Sequence, residues 1–237
     1  MGETSLKRAR EWIDPLLGSL LDLLFPRRCA GCGRPGEVWC LRCQSQLEIF
    51  PQARCQHCGR NTRGMGVYCG PCLEALAHPP ILSYARYRQP LRRALLSLKY
   101  RADMELAGIM AGWLRELWLG SGWEATMVVP VPLSPKRYRK RGYNQADLLA
   151  SALAELIGIE HRTDVLWRSR ETGSQVGLDY QQRWRNVAGA FQANAEKTAG
   201  DRVLLVDDLY TTGSTLTACA EAFTNADDVF GITVAKA

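Results

Sequence analysis

The chain has 237 residues, enough for one large domain or for a domain of ordinary size with a small module attached. Hydrophobic residues make up 46% and charged residues 23%, a balance that excludes a disordered chain, a collagen-like chain and a coiled-coil rod. The 30 basic and 24 acidic side chains leave a formal charge of +6, mild for a dedicated nucleic-acid protein, and zinc-bound thiolates would lower it further.

At the start of the chain, Asp14 and Pro15 read as an N-cap and first helical residue, and Leu16, Leu17, Leu20, Leu21 and Leu24 recur at helical spacing. An amphipathic helix is therefore predicted within residues 1–28, ended by Pro26 and packed on the body of the protein. The longest apolar stretch, residues 12–25, is broken by Asp14, Pro15, Gly18 and Asp22 and is too short to span a bilayer. Lys7, Arg8 and Arg10 precede it, but no small-residue cleavage pattern follows. A cytoplasmic protein with no membrane span is expected.

Residues 29–76 are poor in aliphatic side chains and repeat one motif. Cys29 and Cys32, Cys40 and Cys43, Cys55 and Cys58, and Cys69 and Cys72 form four Cys-x-x-Cys pairs. Four thiolates suit tetrahedral zinc, and each pair brings two sulfurs to one ion from a single turn. A disulfide framework would not persist among cytosolic reductants, so two structural zinc ions are the expectation. Sequential pairing is the simplest assignment, with Cys29, Cys32, Cys40 and Cys43 on one ion and Cys55, Cys58, Cys69 and Cys72 on the other; interleaving stays open. Closed four-cysteine sites leave no position for water, so the module binds or docks rather than hydrolyses. The ninth cysteine, Cys219, reads as a small buried hydrophobe.

After a boundary at residues 77–80, short β-like runs alternate with helical ones. Strands are predicted at 81–87, 127–131, 165–167, 203–206 and 229–234, and helices at 91–100, 105–119, 144–157 and 213–223. This alternation predicts an α/β domain over residues 81–237, a parallel or mixed sheet covered by helices on both faces.

The most informative segment follows the run Val203, Leu204, Leu205 and Val206. Two acids, Asp207 and Asp208, are followed by Leu209 and Tyr210 and then by Thr211, Thr212, Gly213, Ser214 and Thr215. Carboxylates at a strand's carboxyl end accept hydrogen bonds from sugar hydroxyls, while amides and hydroxyls opening a helix receive a phosphate. A sugar phosphate fits both. The order resembles the phosphoribosyl-pyrophosphate signature of type I phosphoribosyltransferases. That resemblance implies catalytic, ribose-holding roles for Asp207 and Asp208 and a 5′-phosphate loop at Thr211, Thr212, Gly213, Ser214 and Thr215.

Two further stretches fit this picture. Lys136, Arg137 and Arg141 belong to a cationic run that would neutralise a pyrophosphate and its metal. Arg170 and Gln175 begin a polar stretch reaching Arg183 and Asn186, a candidate lid that would exclude water.

The whole arrangement resembles the ComF family of competence-associated proteins. The resemblance rests on the tandem Cys-x-x-Cys pairs, Leu98-Lys99-Tyr100, Pro130-Val131-Pro132-Leu133, Arg141-Gly142-Tyr143-Asn144-Gln145, the segments at 172–175 and 186–191, and the acidic pair. It implies a double zinc ribbon followed by a type I phosphoribosyltransferase-like, Rossmann-type domain, with phosphoribosyl pyrophosphate and Mg²⁺ as ligands. It also implies a role in natural transformation, in the uptake or recombination of single-stranded DNA, with a helicase-like DNA-uptake protein as partner. Two functions are weighed: a pentosyl-transferring enzyme, and a non-catalytic adaptor for DNA or a partner whose phosphoribosyl site is only a sensor. Trp39, Tyr68, Tyr138 and Tyr143 lie near basic stretches and are the candidates for base stacking.

Overall fold

The computed structural model describes residues 27–51, 55, 72, 79–170 and 187–237. The N-terminal helix expected within residues 1–28, most of the second cysteine set and the lid segment with Gln175 lie outside the described residues.

In chain order the elements are α1 (Leu41–Ser45), β1 (Ile81–Arg86), α2 (Leu91–Tyr100), α3 (Met104–Ser121), β2 (Met127–Pro130), α4 (Pro135–Arg141), α5 (Gln145–Ile157), β3 (Glu160–His161), β4 (Leu166–Arg168), β5 (Phe191–Ala193), β6 (Arg202–Tyr210), α6 (Ser214–Ala220) and β7 (Asp228–Lys236). Among the described residues, five strands form one parallel sheet in the order β1-β7-β6-β2-β3, and β4 pairs antiparallel with β5. The predicted α/β class is what forms.

Strand β6 is central because its apolar run is continuous rather than alternating, so both faces can be covered. Leu204 and Val206 join Leu82, Val128, Ile232 and Val234 on the face packed by α2, α3 and α5. Val203 and Leu205 join Ile81, Met127 and Val129 on the opposite face, covered by Leu216 and Cys219 of α6 and by Leu166 and Phe191 of the β4-β5 hairpin. Cys219 is 0% exposed, the small core residue expected.

Helix α4 was not expected from a run of charges, yet its ends are well specified. The Ser134 hydroxyl accepts from the Arg137 amide at 3.4 Å, Pro135 occupies the first turn, and Gly142 closes the helix at φ 79°. Helix α5 begins likewise on Asn144, whose side chain accepts from the Ala146 amide and donates to the Val131 carbonyl. That second bond ties the helix start to the exit of β2.

The first four-cysteine segment shares the larger core. Cys29, Val38, Trp39 and Cys43 are buried in one cluster with α2 and α3. Trp39 meets Trp113 edge-on at 5.4 Å, and Trp113 stacks on Tyr84 at 5.3 Å. The chain then runs antiparallel beside β1: the Phe50 amide donates to the Tyr84 carbonyl and the Arg86 amide to the Glu48 carbonyl, both at 2.9 Å. Among the described residues no helix is long and apolar enough to cross a membrane.

Candidate functional site

The sequence predicts that the strand ends at Val206 and the acids follow it; β6 instead continues to Tyr210 and carries both carboxylates. The pleat turns successive side chains to opposite faces. Asp208 continues the side of Leu204 and Val206, toward α2 and α5, and Asp207 continues the side of Val203 and Leu205.

Asp208 is 4% exposed and is fully engaged. Its Oδ2 lies 2.7 Å from Lys99 Nζ, and its Oδ1 accepts from Gln145 Nε2 at 2.9 Å. Gln145 in turn accepts from Arg141 Nη1 at 2.6 Å, so a chain of polar contacts runs from α4 through α5 to the acid. Burial opposes the Lys99 charge, but Asp208 and then Asp207 outweigh it and hold the ammonium above its ordinary pKa. Asp207 is half-buried and accepts from the Asp208 amide at 2.8 Å. Burial, followed by repulsion from Asp208, pushes its pKa up to about 8.

Both acids line a cavity of about 430 Å³ together with Thr211, Thr215, Lys99, Arg137, Arg141, Gln145 and Arg168. Acids, hydroxyls and cations separated widely in sequence thus converge on one concave site at the carboxyl end of the sheet, where ligands of open parallel sheets bind. Within the small-residue loop, Thr211 is exposed and Thr215 half-buried, whereas Gly213 and Ser214 are buried. The Thr212 and Ser214 hydroxyls lie 2.9 Å apart and bond each other. Gly213 is required by its φ of 82° and by Tyr210: a β-carbon there would stand 2.8 Å from the tyrosine hydroxyl.

Of the remaining expected site residues, Arg137 and Arg141 reach the cavity, whereas Lys136 is exposed on α4 and is not among the lining residues. Arg170 donates to the Ala188 carbonyl at 3.0 Å at the base of the β4-β5 hairpin. Sequence reasoning missed Lys99, Gln145 and Arg168 as site residues. Leu98-Lys99-Tyr100 and Arg141 to Gln145 held the signal, and the structure supplies its reason: Lys99 and Gln145 grip Asp208, and the Tyr143 hydroxyl donates to the Leu98 carbonyl at 2.6 Å. Of the stacking candidates, Trp39 and Tyr143 are used internally, Tyr68 lies outside the described residues, and Tyr138 is 53% exposed.

The sulfurs of Cys29, Cys32, Cys40 and Cys43 all lie within 4.8 Å of one another, the sequential grouping expected for the first ion. The Cys40 amide points at the Cys29 sulfur at 3.5 Å, as thiolate ligands in a metal knuckle require. Four thiolate donors in a closed cluster fit zinc. Of the second set, Cys55 and Cys72 fall among the described residues and Cys58 and Cys69 do not.

A family model described as the double zinc ribbon domain matches residues 20–73. Competence protein F of Haemophilus influenzae is 32% identical over 185 residues, covering 75% of this chain and 80% of the relative. The DNA utilization protein YhgH of Escherichia coli K12 is 28% identical over 79% of this chain and 90% of the relative. Competence protein ComFC of Streptococcus pneumoniae is 26% identical over 75% and 77%. Among solved structures, a glutamine phosphoribosylpyrophosphate amidotransferase from B. subtilis aligns over 58% of this chain with 22% identity and a TM-score of 0.37; the match spans only 30% of that enzyme. An adenine phosphoribosyltransferase from Leishmania donovani aligns over 57% of this chain and 66% of that one, with 14% identity and a TM-score of 0.34.

Proposed function

The chain belongs to the ComF family of competence proteins, and from that premise we propose that its α/β domain binds phosphoribosyl pyrophosphate with Mg²⁺ and acts in the handling of incoming single-stranded DNA. The observation that carries the ligand reading is the cavity of about 430 Å³ in which both acids meet Thr211, Thr215, Lys99, Arg137 and Arg141. In this reading Asp207 and Asp208 hold the ribose hydroxyls, and the segment 211–215 receives the 5′-phosphate through its amides and the Thr211 and Thr215 hydroxyls. Arg137 and Arg141 face the pyrophosphate.

Two carboxylates on adjacent residues, one with its proton affinity raised by the other, form a donor set that a divalent cation would relieve. Mg²⁺, when bound with the pyrophosphate, supplies charge neutralisation beside Asp207. The rest falls to the protein: Lys99 and Gln145 fix the Asp208 carboxylate, and the arginines favour charge accumulating on the leaving pyrophosphate as the bond to the anomeric carbon breaks. The reaction class is pentosyl transfer.

One observation favours a second reading, a non-catalytic adaptor. Asp208 is already neutralised by Lys99, so the pocket has a stable form in which no sugar is held. Calorimetric titration with phosphoribosyl pyrophosphate and Mg²⁺, followed by pyrophosphate release with a panel of bases, separates the two. Binding with turnover supports the enzyme, binding without turnover supports the adaptor, and absence of binding overturns the site assignment. In parallel, Asp207→Asn combined with Asp208→Asn should weaken the sugar phosphate and spare any affinity for single-stranded DNA. Equal loss of both in a folded variant would overturn separate sites.

The competence and DNA-utilization names of the relatives support the biological side of this proposal. DNA contact through the basic segments would weaken steeply with salt. A helicase-like uptake protein is the proposed partner.

A further inference from the structure

A second cavity, of about 560 Å³, opens beside the first and shares Pro132, Leu133 and Arg168 with it. Its walls come from α4 and the β2-α4 connection on one side and from β4 on the other. Most large apolar side chains of this protein are buried, but Tyr138 and Trp167 are 53% and 43% exposed, and both line this one cavity. Around these rings the floor is apolar, from Pro130, Pro135 and Leu166.

The polar groups in the wall are unequal. Asn144 is consumed, its amide given to the Val131 carbonyl and its oxygen to the Ala146 amide. Asp147 presents a carboxylate, 40% exposed, with Oδ1 3.0 Å from His161 Nε2. Arg139 and Thr163 add donors at the rim, and Arg139 belongs to the cationic helix α4.

We propose that this second cavity is a nucleobase-binding cleft, in which Tyr138 and Trp167 hold the ring by its faces and Asp147 accepts from a ring N–H or exocyclic amino group. Aromatic side chains on an apolar floor bind flat π-systems of any sequence. A carboxylate acceptor beside a guanidinium donor matches the mixed edge of a base and not a hydrocarbon ring. The basic helix on the same wall suits the phosphate that accompanies the base in a nucleotide. The base comes either from a free nucleotide or from an unstacked position in a single strand, since the recognising chemistry is shared. For its chemical use the cleft rests on the reading of the first cavity, because a shared wall puts a base next to the activated pentose; the binding itself does not depend on it.

The test uses the full zinc-loaded chain labelled with 5-fluorotryptophan, with the Trp167 resonance assigned from Trp167→Leu. Adenosine 5′-monophosphate should shift that resonance, whereas ribose 5-phosphate, which lacks the base, should not. Tyr138→Ala and Trp167→Leu should each weaken the nucleotide by about tenfold, and Asp147→Asn should weaken it more than thymidine 5′-monophosphate. Affinity for phosphoribosyl pyrophosphate with Mg²⁺ should be unchanged in all three. A twelve-residue oligothymidine assigns the source: binding much tighter than the mononucleotide and falling with salt means a strand, and equal binding means a free nucleotide. An unshifted Trp167 resonance, or nucleotide affinity indifferent to both aromatic substitutions, overturns the cleft. Loss of phosphoribosyl pyrophosphate binding in the unsubstituted protein overturns the first cavity's reading and leaves the cleft standing.

Discussion

Lys99 lies 2.7 Å from the buried Asp208 and supplies its positive counter-charge. Removing one member of a buried pair leaves an uncompensated charge, so Lys99→Met should cost about 3 kcal/mol of stability, read from urea unfolding. Adding Asp208→Asn should restore part of that loss; a double variant as unstable as the sum of the single ones would mean the pair is not coupled. Asp207 makes a prediction of opposite character. Its native pKa is raised to about 8 by burial and by Asp208, so the folded protein holds this proton more tightly than the unfolded chain does. The associated stability is present at acid pH and is lost as pH climbs from the ordinary carboxylate range through about 8. Asp207→Asn should abolish that decline, giving urea midpoints that change less between pH 5.5 and 8.5 and exceed the parent's at the upper end. Affinity for a magnesium-bound sugar phosphate should rise over the same interval in the parent, since the carboxylate must be ionised to assist a cation. At this scale the sequence disclosed the acids and the hydroxyl loop, because their order is contiguous. It did not disclose that Lys99 and Gln145 serve Asp208, because side chains brought together by the sheet's crossovers leave no trace in local spacing.

Among the elements, the turn from β6 into α6 is the most constrained. Gly213→Ala meets both a left-handed backbone and the Tyr210 ring. It should destabilise the fold by about 1 to 2 kcal/mol from the backbone conformation alone. It should also weaken phosphoribosyl pyrophosphate binding. Trimming the ring with Tyr210→Ser should return the steric part and not the conformational part; full recovery would mean that φ matters little. Most helices and strands were legible from periodicity, to within a residue or two at α2, α5 and β7. Helix α4 was not, because its charges mask its caps: Ser134, Pro135 and Gly142 were all available in the sequence. Strand β6 was read too short because two acids look like a strand's end, whereas Lys99 and Gln145 make it possible to bury one of them.

At the level of the molecule, the first cysteine cluster and the α/β domain share one interior. Gly31 marks how closely they fit, since a β-carbon there would stand 2.8 Å from the Cys43 sulfur and 2.9 Å from both Pro90 and Trp39. Stripping zinc with a chelator should therefore lower the main calorimetric transition. A separate early transition that leaves the main one unmoved would show that the cluster melts alone. The α/β class and the zinc set were readable from alternation and cysteine spacing, but the joint between them was not, because Trp39, Trp113 and Tyr84 come from three distant segments. The run at residues 48–50 beside β1 has a further effect. An outermost strand with bare amides and carbonyls is a template on which other chains can polymerise. Here one border of the sheet is already occupied by the protein's own backbone, and the other ends in the two-residue β3. Neither rim offers a long ladder to a foreign strand, which favours a sheet that resists fibril growth at high concentration.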